Sequence, residues 1–206
     1  MNKIISLLCC CLLFLYPVGL YAADDVAVFA GGCFWCLEHD LENLPGVIDV
    51  ESGYAGGRLS NPTYRNHGGH QEVVKVYYDN EKISYDNLLR AYWRNIDPED
   101  KKGQFCDRGD SYRPVIFSVN ELQNLAAHNS FKNVSRELNL PIGNIKVELK
   151  DLEKFWIAED YHQNFAERNS IKYNFYRYSC GRDARLKEVW GSDINAMDQW
   201  RIGNSD

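Results

Sequence analysis

The feature that most constrains the fold is a junction near the start of the chain, where a short apolar run meets two glycines and then a helical pattern. The run Val26-Ala27-Val28-Phe29-Ala30 is wholly apolar, which is typical of a buried strand. Gly31-Gly32 ends it. Apolar residues then recur at helical spacing, at Phe34, Leu37, Leu41 and Leu44. The junction predicts a buried β-strand that leads directly into an α-helix, with Cys33 in the first turn.

The rest of the chain alternates between strand and helix patterns. Strands are predicted over residues 47–54, 72–78, 114–119 and 145–149. Helices are predicted after Ser84 and Asn120, both of which are good N-cap residues, and over residues 155–169. Strands that alternate singly and in pairs with helices indicate an α/β (α+β) two-layer sandwich.

The first residues are predicted to be a targeting signal. Lys3 is followed by an apolar stretch, which Pro17 and Gly19 interrupt before Ala22. This pattern is typical of a secretory signal over residues 1–22, cleaved after Ala22. A retained membrane anchor is the alternative, but the stretch is about as short as a span can be. We therefore expect an exported protein, periplasmic or secreted, without stable membrane association after cleavage. Its single domain is predicted over 23–190, followed by a polar tail at 191–206.

The charge of the chain argues against two classes of partner. The formal net charge is −6. A protein that binds nucleic acid usually presents a basic patch, and none is visible here. The chain also lacks a Lys/Arg-rich run of the kind that attracts anionic membranes.

Cys33 lies where a thiol is expected to be reactive. The first turn of a helix has unpaired N–H groups and the positive end of the dipole, both of which favour the thiolate. Cys36 lies three residues on, so the two form a C-x-x-C pair on one helix surface. A zinc half-site with His39 is an alternative, but no second C-x-x-C or paired His motif occurs, so we expect neither a metal nor a cofactor. A buried structural cysteine is the other alternative.

Two aromatic residues separate the cysteines, and a carboxylate follows on a later strand. Phe34 is on the apolar helix face and is explained equally well by core packing, whereas Trp35 is off that face and has the better claim to a pocket. Glu72 is in phase with Val74 and Val76 on its strand, which turns the carboxylate towards the apolar side. Burial would raise its pKa and make it a general acid near neutral pH. The alternative is that Glu72 ends the strand and stays in water.

Six segments, in order along the mature chain, resemble the peptide methionine sulfoxide reductase A family. The matching segments are Gly32-Cys33-Phe34-Trp35-Cys36-Leu37-Glu38, Gly53-Tyr54-Ala55-Gly56-Gly57, Asn61-Pro62-Thr63-Tyr64, Gly69-His70-Gln71-Glu72, Gly103-Gln104-Phe105-Cys106-Asp107-Arg108-Gly109 with Tyr112-Arg113, and Ala158-Glu159-Asp160-Tyr161-His162-Gln163. The resemblance implies a mixed sheet with helices, related to the ferredoxin-like arrangement. It also implies reduction of methionine S-sulfoxide, free or in oxidised proteins, with recycling by a thioredoxin-like reductant.

The resemblance also implies a role for each site residue. Cys33 would attack the sulfoxide sulfur and become a sulfenic acid, and Glu72 would protonate the oxygen. Tyr64 and Tyr112 would bind that oxygen, and Asp107 would support the site. Phe34 and Trp35 would hold the substrate methyl group.

The chain departs from the commonest family pattern at the cysteines that would reset the enzyme. Many members have Gly in place of Cys36 and Asn in place of Cys106, and the usual Gly-rich tail with two cysteines is absent. Family members commonly resolve the sulfenic acid from such a tail, which ranks Cys180 narrowly above Cys36, with Cys106 third. A permanent bridge between Cys106 and Cys180 after export is the alternative.

Two other functions are compatible with the cysteines. One is a secreted dithiol oxidase or isomerase that uses Cys33 and Cys36. The other is a non-catalytic domain whose four mature cysteines form two disulfides. A carboxylate on an apolar strand face, as predicted for Glu72, is expected only for the reductase.

Overall fold

The computed structural model describes residues 25–191, which form a six-stranded mixed sheet with helices packed on one face. The sheet order is β7-β6-β1-β3-β2-β8, and a separate pair is formed by β4 and β5. The strands are β1 Asp25–Ala30, β2 Val47–Ala55, β3 Gln71–Tyr78, β4 Gly103–Gln104, β5 Asp107–Arg108, β6 Val115–Ser118, β7 Glu148–Asp151 and β8 Phe155–Ile157. The α-helices are α1 Phe34–Glu42, α2 Tyr85–Arg94, α3 Glu121–Glu137, α4 Phe165–Arg168, α5 Ser170–Cys180 and α6 Arg182–Trp190.

The central part of the sheet has a β-α-β-β-α-β arrangement. In chain order its elements are β1, α1, β2, β3, α2 and β6, and β1, β2, β3 and β6 pair antiparallel. This is the ferredoxin-like unit, to which β7 adds a parallel edge strand and β8 an antiparallel one. The predicted two-layer α/β sandwich is confirmed.

The alternation of side chains along β1 and β3 builds the two faces of the sheet. Ala27, Phe29, Val74 and Val76 belong to the main core, which the helices cover. Val28 and Val73 point to the other face, in a smaller cluster beneath the segment that carries Leu152 and Phe155. Because β1 is buried on both faces, its sequence is a continuous apolar run instead of an alternating one.

Local signals explain where two helices begin. The Ser84 hydroxyl accepts a hydrogen bond from the Asn87 N–H before α2, and the Asn120 side chain accepts one from the Gln123 N–H before α3. Both predicted N-caps are confirmed.

The prediction of a continuous helix over residues 155–169 is wrong. Phe155–Ile157 is an edge strand, in which Trp156 lies opposite Tyr54 of β2, and helix begins only at Phe165. A three-residue apolar run carries too little periodicity to separate strand from helix, so the distant pairing partner decides its structure.

The C-terminal part of the described chain wraps around the end of the sheet near Cys33. Helices α5 and α6 meet at Gly181, which has a φ of +70°, and a disulfide joins Cys180, the last residue of α5, to Cys106. Among the helices of residues 25–191, none has both the length and the apolar character needed to cross a membrane. The predicted signal at 1–22 and most of the predicted tail lie outside the described residues.

Candidate active site

The glycines at the end of β1 allow a tight passage from strand to helix. Gly32 has a φ of +88°, a backbone conformation that residues with a Cβ atom rarely adopt. A Cβ on Gly31 would come within 2.7 Å of Ile96 Cγ2, so the chain passes directly against α2 and the residues after it. Cys33 is then the N-cap of α1, and its side chain is 6% exposed.

Cys33 opens into a cavity of about 60 Å³. The cavity is lined by Cys33, Phe34, Trp35, Tyr64, Glu72, Asp107, Tyr112 and Tyr176. The structure thus brings together every residue that the sequence analysis assigned to catalysis or substrate binding, and it adds Tyr176. Because a cavity needs at least roughly 10–15 Å³ to hold one water molecule, this cavity has room for a group of only a few heavy atoms.

Glu72 lies at the base of the cavity. Its side chain is 1% exposed, and its Oε2 accepts a hydrogen bond from the Phe34 backbone N–H at 3.2 Å. Burial raises the pKa of Glu72 to about 8, against the opposing effect of the Phe34 hydrogen bond. The expected orientation towards the apolar side is therefore observed, and the carboxyl carries a proton at neutral pH.

Two tyrosine hydroxyls face Glu72 across the cavity. The Tyr112 hydroxyl interacts with both Glu72 and Tyr64. Burial, followed by the charge of Glu72, raises the pKa of Tyr64 and of Tyr112 above the ordinary value. Both hydroxyls stay protonated and can donate hydrogen bonds to an oxygen placed between them.

Asp107 is held by a tyrosine that the sequence analysis missed. The Tyr176 hydroxyl donates to Asp107 Oδ2 at 2.6 Å, and the Cys33 backbone also interacts with this carboxylate. Burial raises the pKa of Asp107, although the Tyr176 hydrogen bond and Arg182 oppose the shift. Tyr176 lies on α5 among other tyrosines, and no local pattern distinguishes it from Tyr178, which is 85% exposed.

Trp35 is fixed from two sides. Its ring stacks on Phe165, with centroids 3.7 Å apart and an angle of 7° between the planes. Its Nε1–H donates to His162 Nδ1 at 3.0 Å. Burial lowers the pKa of His162, so the ring is neutral and can accept this bond. His162 was part of a matching segment but had no assigned role; its contact with Trp35 joins residues 127 positions apart, beyond any local signal.

The two thiols of the C-x-x-C pair are unequal. Burial raises the pKa of Cys33 well above the ordinary value, and Cys36, Glu72 and Asp107 add to the rise. The pKa of Cys36 is lowered, chiefly by its hydrogen bond with Cys33. In the resting protein burial therefore opposes the thiolate that the helix N-terminus favours at Cys33.

Cys106 and Cys180 form a disulfide across 74 residues, and their Cα atoms are 4.9 Å apart. This is the bridge that the sequence analysis weighed against a resolving role for Cys180. Cys33 and Cys36 are free and buried. Among residues 25–191, one group could bring potential metal-ligand atoms within 4.8 Å of one another. It consists of Cys106, Asp107 and Cys180. Two of its sulfurs are consumed by the disulfide, so this group does not provide a thiolate site for zinc.

Comparison with known proteins places this geometry in a family. Residues 25–194 match the family model described as peptide methionine sulfoxide reductase. A Caulobacter vibrioides protein named peptide methionine sulfoxide reductase MsrA 2 is 51% identical over 171 residues, covering 81% of this chain and 86% of the relative. A Rhizobium meliloti protein of the same name is 45% identical over 172 residues, covering 82% and 85%.

Solved structures agree with the fold. Reduced Mxr1 from Saccharomyces cerevisiae superposes with a TM-score of 0.66 at 26% identity, over 73% of this chain and 88% of that one. Methionine sulfoxide reductase A of Corynebacterium diphtheriae gives 0.66 at 28% identity, over 72% and 76%. Mxr1 has also been solved in complex with Trx2, in a structure that shares the fold at 20% identity with a TM-score of 0.50 over 71% and 87%. The chain belongs to the peptide methionine sulfoxide reductase family, and specifically to its MsrA branch.

Proposed function

We propose that this protein reduces methionine S-sulfoxide, free or within oxidised proteins, to methionine. The observation that carries the proposal is the convergence of a buried nucleophile, Cys33, with a protonated carboxyl, Glu72, in one small cavity. Two tyrosine hydroxyls and two aromatic rings complete the cavity lining. Nucleophile, acid, oxygen-binding groups and an apolar wall are what sulfoxide reduction needs, and family membership supports the assignment.

In the first step Cys33 attacks the sulfoxide sulfur as Glu72 gives its proton to the oxygen. Attack forms a bond between the two sulfurs, and the thiol proton of Cys33 replaces the proton that Glu72 gave up. The substrate S–O bond then breaks, the oxygen is transferred to the Cys33 sulfur as the S–S bond breaks, and methionine leaves a Cys33 sulfenic acid. The sulfur of the substrate is reduced by two electrons, and Cys33 is oxidised by two. Tyr64 and Tyr112 stabilise the oxygen as it gains negative charge.

The fixed places of these groups favour one sulfoxide epimer over the other, and the resemblance to the MsrA family implies that it is the S epimer. The hydroxyls of Tyr64 and Tyr112 lie on the Glu72 side, whereas Phe34 and Trp35 supply the apolar wall. Inverting the substrate sulfur would exchange oxygen and methyl, placing the oxygen against the aromatic rings.

Cys36 is the thiol that resets the enzyme in this proposal. It is free, it interacts directly with Cys33, and its pKa is lowered. Cys180, which the sequence ranked first, is bonded to Cys106 in this structure. The ranking of Cys180 stays a prediction that disulfide mapping can decide, and the bridge is a physical reason to prefer Cys36.

A thioredoxin-like dithiol is the proposed electron donor. A disulfide between Cys33 and Cys36 is a substrate for thiol–disulfide exchange with such a protein. Yeast Mxr1, which shares this fold, forms a complex with Trx2.

The predicted secretory signal places the protein in the periplasm or outside the cell in this proposal, where it would repair proteins damaged by oxidative stress. The disulfide between Cys106 and Cys180 supports this location, since such bonds persist in oxidising compartments.

Thiol counting tests the proposal against both rival functions. Free thiols are titrated on the denatured protein before and after addition of methionine S-sulfoxide, with methionine measured in parallel. The reductase loses two thiols for each methionine formed, and the Cys33→Ser variant loses none. An isomerase would keep its thiols and form no methionine. A domain with two structural disulfides is already disfavoured, because Cys33 and Cys36 are free.

A further inference from the structure

Cys36 lies in surroundings that oppose ionisation. Its side chain is 2% exposed, and it packs in a cluster with Phe165, Ala166 and Tyr173. Burial among such groups raises the pKa of a thiol, yet the resolving step requires a thiolate. Some feature of this pocket must therefore offset the cost of burial.

Two arginines approach the same face of α1. Asp40 lies one turn after Cys36, so both residues are on one side of the helix. Arg177 Nη1 lies 2.7 Å from Asp40 Oδ1, and Arg182 Nε lies 3.7 Å from Asp40 Oδ2. Both arginines that pair with Asp40 also act electrostatically on the Cys36 thiol, one helical turn before it.

Arg182 is locked into position beneath the strand–helix junction. Its side chain is 1% exposed, and its two terminal nitrogens donate to the carbonyls of Asn95 at 2.6 Å and Gly31 at 3.4 Å. The guanidinium lies over the Phe105 ring at 4.6 Å. Its Nε is buried and forms no hydrogen bond within the described part of the chain.

The charges of this cluster do not cancel. Arg177 also pairs with Asp183, but the Asp183 side chain is 66% exposed, so solvent screens its charge. Inside the protein, both guanidinium groups lie against the carboxylate of Asp40, and Arg182 also attracts the partly buried carboxylate of Asp107. Asp107 accepts a hydrogen bond from Tyr176 and forms no ion pair with either arginine in the described part of the chain, so the positive charge of this cluster can stabilise a nearby anion.

We propose that Arg177 and Arg182 form a cationic pocket that stabilises the thiolate of Cys36, and that they are positioning residues for the resolving step. This inference deepens the proposed function and rests on it. The two arginines touch no substrate and act through Cys36.

The charged and titratable groups around Cys36 agree with this assignment. Its pKa is lowered first by the hydrogen bond with Cys33 and then by Arg182 and Arg177, whereas burial and Asp40 raise it. Tyr173 and Tyr176 face it from α5, and Glu72 from β3, and burial raises the pKa of all three, so they are uncharged at neutral pH. After the first step Cys33 is a sulfenic acid, so its thiol no longer forms the hydrogen bond with Cys36. The two arginines then remain to stabilise the Cys36 thiolate.

The resolving step balances without an external oxidant. The Cys36 thiolate attacks the Cys33 sulfur, an S–S bond forms, and the S–O bond of the sulfenic acid breaks. The oxygen leaves as hydroxide and takes a proton from solvent to become water.

The disulfide of Cys180 with Cys106 is close to both arginines in sequence. Arg177 lies three residues before Cys180, and Arg182 lies two residues after it. The bridge ties this helix junction to the segment that carries Phe105, on which the Arg182 guanidinium rests.

The test measures the ionisation of Cys36 directly. Ultraviolet thiolate absorbance is titrated against pH in Cys33→Ser protein, and Cys33→Ser/Cys36→Ser protein is the blank for all other thiols. Adding Arg177→Gln should raise the pKa of Cys36 by about one unit, which is a tenfold loss of thiolate near neutral pH. Arg177→Lys keeps a positive charge at this position, so it should raise the pKa of Cys36 less than Arg177→Gln does. Arg182→Lys keeps the positive charge but loses the planar guanidinium group. It should therefore give a smaller rise in the pKa of Cys36.

Rapid-quench kinetics supplies the second readout, in protein with Cys33 present. Arg177→Gln should form methionine in the first turnover at the wild-type rate, but should form the Cys33–Cys36 disulfide about tenfold more slowly at neutral pH. Arg185→Gln is the matched control, because Arg185 lies on α6 but pairs with Asp97 and Glu188. It should change neither measurement.

An unchanged pKa of Cys36 in Arg177→Gln, with disulfide formation at the wild-type rate, would overturn the inference. Failure of the proposed function is a separate result, because wild-type protein would then form no methionine while the Cys36 titration could still be measured.

Discussion

The Phe34 backbone N–H donates to Glu72 Oε2, and this one hydrogen bond ties the first turn of α1 to the start of β3. The positive end of the helix is therefore directed at the carboxyl that lies beside the nucleophile. It favours the ionised carboxyl, yet burial is the stronger effect and the pKa of Glu72 is raised to about 8. The arrangement keeps a proton available next to Cys33 at neutral pH.

Removal of the nucleophile should abolish the first step. Cys33→Ser is expected to form no detectable methionine in a single turnover, because a serine oxygen cannot take up the sulfoxide oxygen as the cysteine sulfur does. Cys36→Ser is the matched control and should still form one methionine per protein before it stops. Comparable first turnovers in the two variants would show that Cys33 is not the nucleophile.

Loss of the acid should slow the same step and change its pH profile. Glu72→Gln should reduce the first-turnover rate by roughly 10²–10⁴-fold, the usual effect of a lost general acid. In the wild type the rate should fall as pH rises through about 8, where Glu72 loses its proton. This alkaline limb should be absent from Glu72→Gln. A variant that reacts normally but recycles slowly would assign Glu72 another role.

Glu72 should also make stability depend on pH. Its pKa is higher in the folded protein than in the unfolded chain, so its contribution is present below the unfolded value and is lost as pH rises towards about 8. The free energy of unfolding of wild type relative to Glu72→Gln should fall by about 1.4 kcal/mol per pH unit across this window. Parallel urea titrations at several pH values measure the difference, and a constant difference would contradict a protonated Glu72.

The disulfide of Cys106 with Cys180 should stabilise the fold without taking part in turnover. Loss of a bridge across 74 residues should lower the free energy of unfolding by about 4 kcal/mol in the chain-entropy model. Denaturant unfolding of Cys106→Ser/Cys180→Ser protein gives this value. Peptide mapping after one turnover should find the Cys33–Cys36 link in both proteins. A Cys33–Cys180 link, with recycling lost in Cys180→Ser, would instead support the ranking made from sequence.

The support of Trp35 should appear in substrate affinity. Trp35→Phe keeps an aromatic ring against Phe165 but loses the hydrogen bond to His162. A lost neutral hydrogen bond of about 0.5–1.5 kcal/mol predicts a KM about 2–10-fold higher, with the first-turnover rate at saturation little changed. Trp156→Phe is the control, because that indole lies on β8 and does not line the cavity. An equal change in both variants would point to a general loss of stability.

Periodicity and local chemistry predicted most of the architecture, because the responsible interactions are close in sequence. The apolar run of β1, the alternation around Glu72 and the caps at Ser84 and Asn120 are all local signals, and each is found in the structure. The edge strand at Phe155–Ile157 was mistaken for helix because its pairing with β2 spans about a hundred residues. Patterns along the chain do not contain that information.

The site shows the same division. The family motifs predicted the other residues that line the cavity, but Tyr176 lies outside these motifs. Its contact with Asp107 joins residues that are 69 positions apart in sequence. The sequence shows the helix start that favours a Cys33 thiolate, but not the burial that opposes it. Likewise, the spacing of four cysteines permits several pairings, and three-dimensional proximity alone selects Cys106 with Cys180.

The small size of the cavity bears on which damaged proteins can be repaired. A space of about 60 Å³ has room for the tip of one side chain, so the sulfoxide group must project from its own backbone to reach Cys33. A methionine sulfoxide buried inside a folded substrate protein must therefore become exposed before it can react. Local unfolding of the substrate protein sets how often this happens. For such sites the rate of repair depends on the local stability of the oxidised protein. Proteins that oxidation has destabilised locally should therefore be repaired fastest.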